Sequence, residues 1–227
     1  MNFKIALDGP SGAGKSSLAK LIASRLGILY VDTGAMYRSI GLYMQIHGID
    51  PCDEEKVLAA LPSVSLDIRF EDGEQRIYLC GEFVGERIRT PEISMYASRV
   101  SAIGGVRAFL LDTQRSLAKQ NSVIMDGRDI GTVIFPDAEV KIFLTASAEA
   151  RAHRRLIELE AKGIKTTYDD VLSDMQKRDK NDREREIAPA VAADDAVILD
   201  NSDLTVEGTV DAAIAIINEK LSQRKAK

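Results

Sequence analysis

The chain has 227 residues, of which 45% are hydrophobic, and a formal net charge of −5 at pH 7. This size and composition suffice for one large α/β core without disulfide or metal staples, and the acidic balance argues against a nucleic-acid-binding surface. Because the sequence offers no signal-peptide pattern and no apolar run long enough for a membrane span, we expect a cytoplasmic protein with neither nucleic acid nor membrane as partner.

The first predicted strand, Lys4 to Leu7, runs into a glycine-rich segment that matches the phosphate-binding pattern G-x-x-x-x-G-K-[ST]. Helical spacing of leucine and isoleucine follows this segment, which completes the required order of strand, loop and helix. We expect the loop to bind the phosphates of a nucleotide through Gly9, Pro10, Ser11, Gly12, Ala13, Gly14, Lys15, Ser16 and Ser17. In this pattern Lys15 reaches the β- and γ-phosphates and the Ser16 hydroxyl coordinates Mg²⁺.

Short apolar segments separated by helical patterns predict an α/β fold of the P-loop, three-layer type, with ligands at the carboxyl ends of the strands. The five predicted strands of the parallel sheet are Lys4 to Leu7, Ile28 to Val31, Val123 to Met125, Lys141 to Leu144 and Val197 to Leu199. An aspartate follows four of these strands, at Asp8, Asp32, Asp126 and Asp200. Some of these are expected to cap helices and others to face the ligand.

Two segments interrupt the alternation. The first, Ser63 to Val84, alternates apolar and polar residues around turns at Glu71 to Glu74 and Cys80 to Glu82, and predicts a small antiparallel insertion. A helix is predicted to begin at Thr90-Pro91, and another covers Val106 to Ala118.

The second interruption, Ala148 to Ala188, is predicted to be two helices joined around Gly163 to Thr167, with Thr167 and Asp170 as a capping box and Ala188-Pro189 as the end. Its last part holds five cations in nine residues: Lys177, Arg178, Lys180, Arg183 and Arg185. Such a run is usually a solvated helix face, but next to a phosphate loop it favours a basic lid, because phosphoryl transfer requires cations around the transferred group.

Together with the loop and the lid, the segments Asp32-Thr33-Gly34-Ala35-Met36-Tyr37-Arg38 and Asp126-Gly127-Arg128-Asp129-Ile130-Gly131-Thr132 make the chain resemble the bacterial cytidylate kinases over nearly its whole length. The resemblance implies phosphorylation of CMP and dCMP by ATP, with Mg²⁺, in pyrimidine nucleotide metabolism. It implies a core at residues 1–32, 104–147 and 190–227, a monophosphate-binding region at 33–103 with the antiparallel insertion at about 63–85, and a helical lid at 148–189. Family precedent also implies a monomer.

The same resemblance assigns the site residues. Near the acceptor phosphate it places Thr33, Arg38, Arg128 and Arg185; near the ribose, Arg178 and Asp182; and at the cytosine edge, Ser101, Arg107 and Asp129. The catalytic set it implies is Lys15, Arg128, Arg183 and Arg185.

The residues themselves support a phosphate acceptor. A nucleoside monophosphate has a second pKa near ~6, so its attacking oxygen needs no general base, and the enzyme must instead offset repulsion between two anions. Planar, permanently charged arginines suit this work. A carboxylate at Asp129 would attract the cytosine N4 amino group and repel the uracil O4 oxygen.

The sequence is compatible with more than one role for several of these residues. Asp129 could be a cap or the ion-pair partner of Arg128, Asp126 could hold Mg²⁺ through water or stabilise a loop, and Thr33 could cap the following helix. For the whole chain, the alternatives are a P-loop kinase with another acceptor (UMP, AMP or a small alcohol), a GTPase-like switch, and a non-catalytic nucleotide-binding scaffold.

Overall fold

The computed structural model describes residues 2–71, 74–161 and 163–225, which contain eight strands and eight α-helices. The strands are β1 (Lys4–Asp8), β2 (Leu29–Asp32), β3 (Leu66–Glu71), β4 (Glu74–Leu79), β5 (Glu82–Phe83), β6 (Val123–Asp126), β7 (Val140–Thr145) and β8 (Val197–Asp200). The helices are α1 (Lys15–Leu26), α2 (Thr33–Ile46), α3 (Glu54–Ala60), α4 (Pro91–Val100), α5 (Gly104–Leu117), α6 (Ala148–Ala161), α7 (Tyr168–Glu184) and α8 (Val206–Lys225). None of the described helices is long and apolar enough to cross a membrane.

Five parallel strands form one sheet in the order β2-β6-β1-β7-β8. In its centre, Leu7 of β1 is paired with Asp126 of β6 on one side and Ile142 of β7 on the other. The β1 side chains of Ile5 and Leu7 are fully buried, as a parallel sheet covered by helices on both faces requires. The predicted P-loop, three-layer α/β fold is confirmed, and all five strands lie where the sequence predicts them, within one or two residues.

The chain divides into two compact units. Residues up to Ile28, together with those from Ser122 onward, form the first unit, and Leu29–Asn121 form the second.

In the second unit, α2 packs closely on α4 because the contact position on α2 is glycine. A methyl group at Gly41 would lie 3.0 Å from the Cβ atom of Tyr96. The predicted antiparallel insertion is the sheet β3-β4-β5, with Leu66 opposite Leu79. Its second turn is at Cys80-Gly81, as predicted, whereas the two central residues of the first predicted turn lie outside the described residues.

In the first unit, α6 and α7 form the predicted helical hairpin. Thr167 caps α7: its hydroxyl accepts a bond from the Asp170 amide at 3.2 Å and donates one to the Asp170 carboxylate at 2.6 Å. The predicted pairing of Thr167 with Asp170 is therefore present, but the carboxylate accepts its bond from the Thr167 hydroxyl rather than from the backbone amide that a capping box uses. The predicted end at Ala188-Pro189 is wrong, because α7 stops at Glu184. Arg185 leaves the helix with extended backbone angles, and its Nε donates to the Ala188 carbonyl.

Gly9, directly after β1, has a backbone φ of +146° and lies so close to β7 that an added Cβ atom would be 1.9 Å from the Leu144 carbonyl oxygen. Gly27 also has positive φ, but an added Cβ there would meet no atom within 4 Å. We therefore predict that Gly27→Ala lowers the free energy of unfolding by about 1 kcal/mol, the cost of the left-handed backbone alone. Gly9→Ala should cost more than about 3 kcal/mol, because the β7 backbone cannot move away. Urea unfolding of both variants tests this, and equal losses would contradict it.

Candidate functional site

The glycine-rich loop between β1 and α1 presents backbone amides to an anion. Gly12 and Gly14 adopt left-handed conformations, with φ of +72° and +89°. Gly14 is also the N-cap of α1 and has no side chain to cap it. The first amides of α1, with the positive end of the helix dipole, are therefore left for a bound phosphate.

Lys15 begins α1 and is only 6% exposed. Its Nζ donates a hydrogen bond to the Pro10 carbonyl at 2.7 Å, so the lysine lies across its own loop. Burial, and next the positive charge of Arg128, lower the pKa of the Lys15 ammonium well below its ordinary value. A phosphate in the loop would oppose both effects, because an anion favours the charged form.

Ser16 and Asp126 form an oxygen pair beside the loop. The Ser16 hydroxyl donates to the Asp126 carboxylate at 2.8 Å, and Asp126 is 5% exposed. Among the described residues no group of three or more His, Cys, Asp or Glu is arranged to hold a metal. A hydroxyl and one carboxylate nevertheless fit Mg²⁺, which keeps several waters and takes further oxygens from substrate phosphates.

Asp8, the last residue of β1, links the loop to the segment that carries Arg128 and Asp129. Its carboxylate accepts bonds from the Ile130 and Gly131 amides, both at 2.8 Å, and so fixes the π-helical turn Ile130–Ile134. Burial, and to a smaller extent the charge of Asp129, raise the pKa of Asp8 to about 6, although the two amide bonds oppose the shift.

This raised pKa predicts how stability depends on pH. The folded state holds the Asp8 proton up to about pH 6, whereas the unfolded chain releases it near pH 4, so ionising Asp8 destabilises the fold across this interval. In Asp8→Asn this contribution is absent. The free energy of unfolding of the wild type should therefore fall relative to Asp8→Asn between about pH 4 and about pH 6.5, and stay parallel above that. Urea unfolding in EDTA at several pH values measures the difference, and parallel curves over the whole range would refute the prediction.

The first unit brings several predicted site residues together. Arg128 Nε donates to the Asp182 carboxylate on α7 at 3.0 Å. Arg128 and Arg178 lie close enough to Lys15 for their charges to lower its pKa. Asp129, 4% exposed, lies 3.7 Å from an Arg185 guanidinium nitrogen. Asp129 thus pairs with Arg185, and Arg128 pairs with Asp182.

The cations of the lid do not all behave alike. Lys177, Lys180 and Arg183 are exposed, as expected of a solvated helix face. Arg178 is half-buried, and the side chain of Arg185 is only 9% exposed. The structure thus buries the Arg185 side chain, partly buries Arg178, and leaves Arg183, of the predicted catalytic set, in solvent.

In the second unit, Asp32 organises the start of α2. Its carboxylate caps the helix by accepting the Ala35 amide at 2.8 Å and pairs with Arg38 at 2.9 Å and Arg89 at 3.5 Å. The cap of α2 is therefore Asp32, and Thr33 is instead the buried first residue of the helix. Two arginines and a helix N-terminus around one carboxylate leave a net positive region that suits a phosphate dianion.

The second unit also brings Ser101 and Arg107 together. Arg107 Nη1 donates to the Ser101 carbonyl at 3.0 Å, and the guanidinium carbon lies 5.5 Å from the centre of the Tyr37 ring. The Ser101 hydroxyl donates to the Ser98 carbonyl at 2.9 Å. Two of the three residues that the family resemblance assigned to the base therefore lie within one small region of this unit, whereas the third, Asp129, belongs to the first unit.

Sequence reasoning missed three side chains that shape these regions: Arg89, Arg151 and Asn201. The Asn201 amide donates to the Ala13 carbonyl of the loop at 3.1 Å, and Arg151 donates to the Ser11 carbonyl at 2.8 Å. No spacing rule points to them, because each acts on backbone carbonyls or on a carboxylate distant in sequence. For Asp8, the sequence indicates only that it is one of four aspartates that follow predicted strands.

Comparisons with known proteins identify the family of the chain. A model of the cytidylate kinase family matches residues 5–219. A cytidylate kinase of Caldicellulosiruptor bescii is 52% identical over 205 residues, which cover 90% of this chain and 91% of that protein. One from Thermosipho melanesiensis is 46% identical over 220 residues, covering 97% of this chain and 99% of that protein.

Among solved structures, an uncharacterized protein from Eubacterium ventriosum has a TM-score of 0.50 at 13% identity, covering 96% of this chain and 99% of that one. This likeness supports the fold alone. The match to the family model and the identity to these two relatives, each over most of the chain, show that the chain belongs to the cytidylate kinase family.

Proposed function

We propose that the protein transfers the γ-phosphoryl group of ATP to CMP and dCMP, forming CDP and dCDP for pyrimidine nucleotide metabolism. The observation that carries the proposal is the buried Lys15 at the phosphate loop, with the charges of Arg128 and Arg178 near it. Family membership supports ATP as the donor and a nucleoside monophosphate as the acceptor.

The reaction requires positioning and charge neutralisation rather than proton removal. The acceptor phosphate is mostly dianionic at neutral pH, with a second pKa of about 6. Its oxygen can attack directly once the two anions are held in line. The side chains of the protein must therefore orient both phosphates and stabilise the negative charge on the transferred phosphoryl group.

In the first unit, we assign ATP binding to residues 9–17, with Lys15 on the β- and γ-phosphates. Arg128, Arg183 and Arg185 are proposed to stabilise the transferred group, and Arg178 with Asp182 to contact the ribose of the acceptor. The Arg128–Asp182 bond supports this grouping, because it holds a phosphate-binding arginine beside a ribose-binding carboxylate. Asp129 is proposed to accept the cytosine amino group.

In the second unit, we assign Thr33 and Arg38 to the acceptor phosphate, and Ser101 and Arg107 to the base. The net positive surroundings of the α2 N-terminus support the first assignment, and the Arg107–Ser101 contact supports the second.

Mg²⁺ is proposed as the second cofactor, held by Ser16 and by Asp126 directly or through water. When bound, it would neutralise charge on the β- and γ-phosphates. The Ser16–Asp126 hydrogen bond supports the assignment, because it places a hydroxyl and a carboxylate side by side at the start of α1.

We keep the proposed division into a core at residues 1–32, 104–147 and 190–227, a monophosphate-binding region at 33–103 and a lid at 148–189. The buried contacts between α6 and α7 support the lid as one folded element. We also propose that the protein is a cytoplasmic monomer. Its nucleotide substrates and its exposed, unpaired thiols at Cys52 and Cys80 agree with a reducing compartment.

The decisive experiment is a coupled assay of ADP release with MgATP and, in turn, CMP, dCMP, UMP, AMP, GMP and a small alcohol. We expect the highest kcat/KM with CMP and dCMP, and light scattering should give the monomer mass. A higher kcat/KM with another monophosphate or with the alcohol would replace the proposed acceptor. No turnover with any acceptor, despite ATP binding, would instead support a scaffold.

A further inference from the structure

A buried arginine that has no role in the proposal above joins the phosphate loop to α7. Arg151 lies in the first turns of α6, and its side chain is 5% exposed. Its guanidinium donates to the Ala146 carbonyl at 3.0 Å, the Ser11 carbonyl at 2.8 Å and the Asp179 carboxylate at 2.6 Å. One side chain thereby connects the segment after β7, the phosphate loop and α7.

A second contact joins the same loop to the same helix. A methyl group at Gly12 would lie 2.4 Å from the terminal carbon of Met175, so the loop backbone lies directly against this side chain. Met175 and Asp179 are four residues apart and therefore lie on one face of α7. The loop thus contacts α7 directly at Met175 and through the Arg151 side chain at Asp179, on two successive helical turns.

We call the contacts of Arg151 with Ser11 and Asp179 the tether. The tether affects the positions of the α7 side chains that we assign to the substrate. Arg178 precedes Asp179, and Asp182 follows it by three residues, on the turn where it accepts the bond from Arg128. Because α7 is a continuous helix, the position of Asp179 fixes the positions of both neighbours relative to the loop.

We propose that Arg151 is a positioning residue for phosphoryl transfer, which holds α7 at the distance from the phosphate loop at which Arg178 and Asp182 act. This inference rests on the proposed function. Arg151 contacts a carbonyl of the loop, whereas a phosphate binds through loop amides, so the two do not compete.

The kinetic test compares Arg151→Gln, Asp179→Asn and the double variant with Arg155→Gln as a matched control. Arg155 lies on the same helix, but its pair with Glu158 is exposed. We expect kcat with MgATP and CMP to fall at least about 10-fold in each single variant, because small misplacements of reacting groups are costly. The KM for ATP should change less than about 3-fold, since the loop amides remain, and the double variant should be no slower than the singles. Additive losses, or an equal loss in Arg155→Gln, would overturn the inference.

A second pair of changes separates positioning from stability. Replacing both charges with apolar side chains, as Arg151→Met with Asp179→Leu, removes the tether without leaving a buried charge unpaired. We expect the Tm of this double variant to lie within a few degrees of that of the wild type, while its kcat stays low. If kcat recovers together with Tm, Arg151 is only structural and the inference is wrong.

A third measurement does not depend on the acceptor. Hydrogen exchange is followed with and without MgADP in the wild type and in Arg151→Gln. We expect MgADP to slow exchange in both the loop and α7 of the wild type, but only in the loop of the variant. Unchanged protection of α7 in the variant would overturn the inference. A wild type that protects α7 but phosphorylates no acceptor would instead overturn the proposed function alone.

Discussion

Lys15→Ala should lower kcat with MgATP and CMP by about 10³-fold, because the transition state loses a cation positioned on the transferred charge. The fold should not suffer. Burial lowers the pKa of Lys15, which means that the folded state bears a cost for its charge, and removing that charge relieves the cost. Because the variant also loses the hydrogen bond to the Pro10 carbonyl, which opposes this gain, its free energy of unfolding at pH 7 should lie within about 1 kcal/mol of that of the wild type.

The matched control is Lys20→Ala, because Lys20 lies on the same helix and is exposed. Its kcat should remain within about 2-fold of the wild type, as expected for a surface change far from the phosphates. Steady-state kinetics and urea unfolding of both variants provide the two readouts. A Lys15→Ala enzyme that retains most of its turnover would place the phosphoryl group elsewhere.

The parallel sheet was predictable because each strand is a short, apolar run bounded by polar residues, and the glycine loop fixes the first strand-to-helix junction. The antiparallel insertion was equally predictable, because apolar and polar residues alternate along it. The end of α7 was not, because Ala188-Pro189 is a strong local stop signal and the real stop depends on where the Arg185 side chain goes. At that boundary the Arg185 side chain also lies 3.7 Å from the Asp129 carboxylate, a tertiary contact that no local signal predicts.

The same distinction between local patterns and contacts distant in sequence applies to the site. The loop positions that stand at fixed spacing, such as Gly14 and Lys15, were predictable from the pattern alone, because the spacing sets where the loop ends and α1 begins. Arg151 was not found, because its three acceptors belong to three separate segments and its neighbours in sequence read as an ordinary helix surface. Asp8 stood at a position noted in the sequence, but its role depends on amides more than a hundred residues away.

Asp129→Asn should reduce the preference for CMP over UMP by about 100-fold in kcat/KM, the scale of a buried polar mismatch. A carboxylate accepts a bond from the cytosine amino group and repels the uracil oxygen, whereas an amide can turn its nitrogen toward either base. The burial of Asp129 makes the discrimination strong, because water cannot replace the missing bond. The neighbouring Arg185 keeps its side chain, so loss of selectivity should exceed loss of turnover with CMP.

Asp137→Asn is the matched control, since Asp137 lies eight residues further along and its side chain is 73% exposed beside Lys4. It should leave the CMP/UMP ratio unchanged. Ratios of kcat/KM measured with both nucleotides in one assay format decide the matter. If Asp129→Asn lowers kcat/KM equally with both nucleotides, the carboxylate serves mainly to hold Arg185, and another group must recognise the base. If only CMP turnover falls while UMP turnover holds or rises, the carboxylate reads the base, because a device that merely positions Arg185 would affect both nucleotides alike.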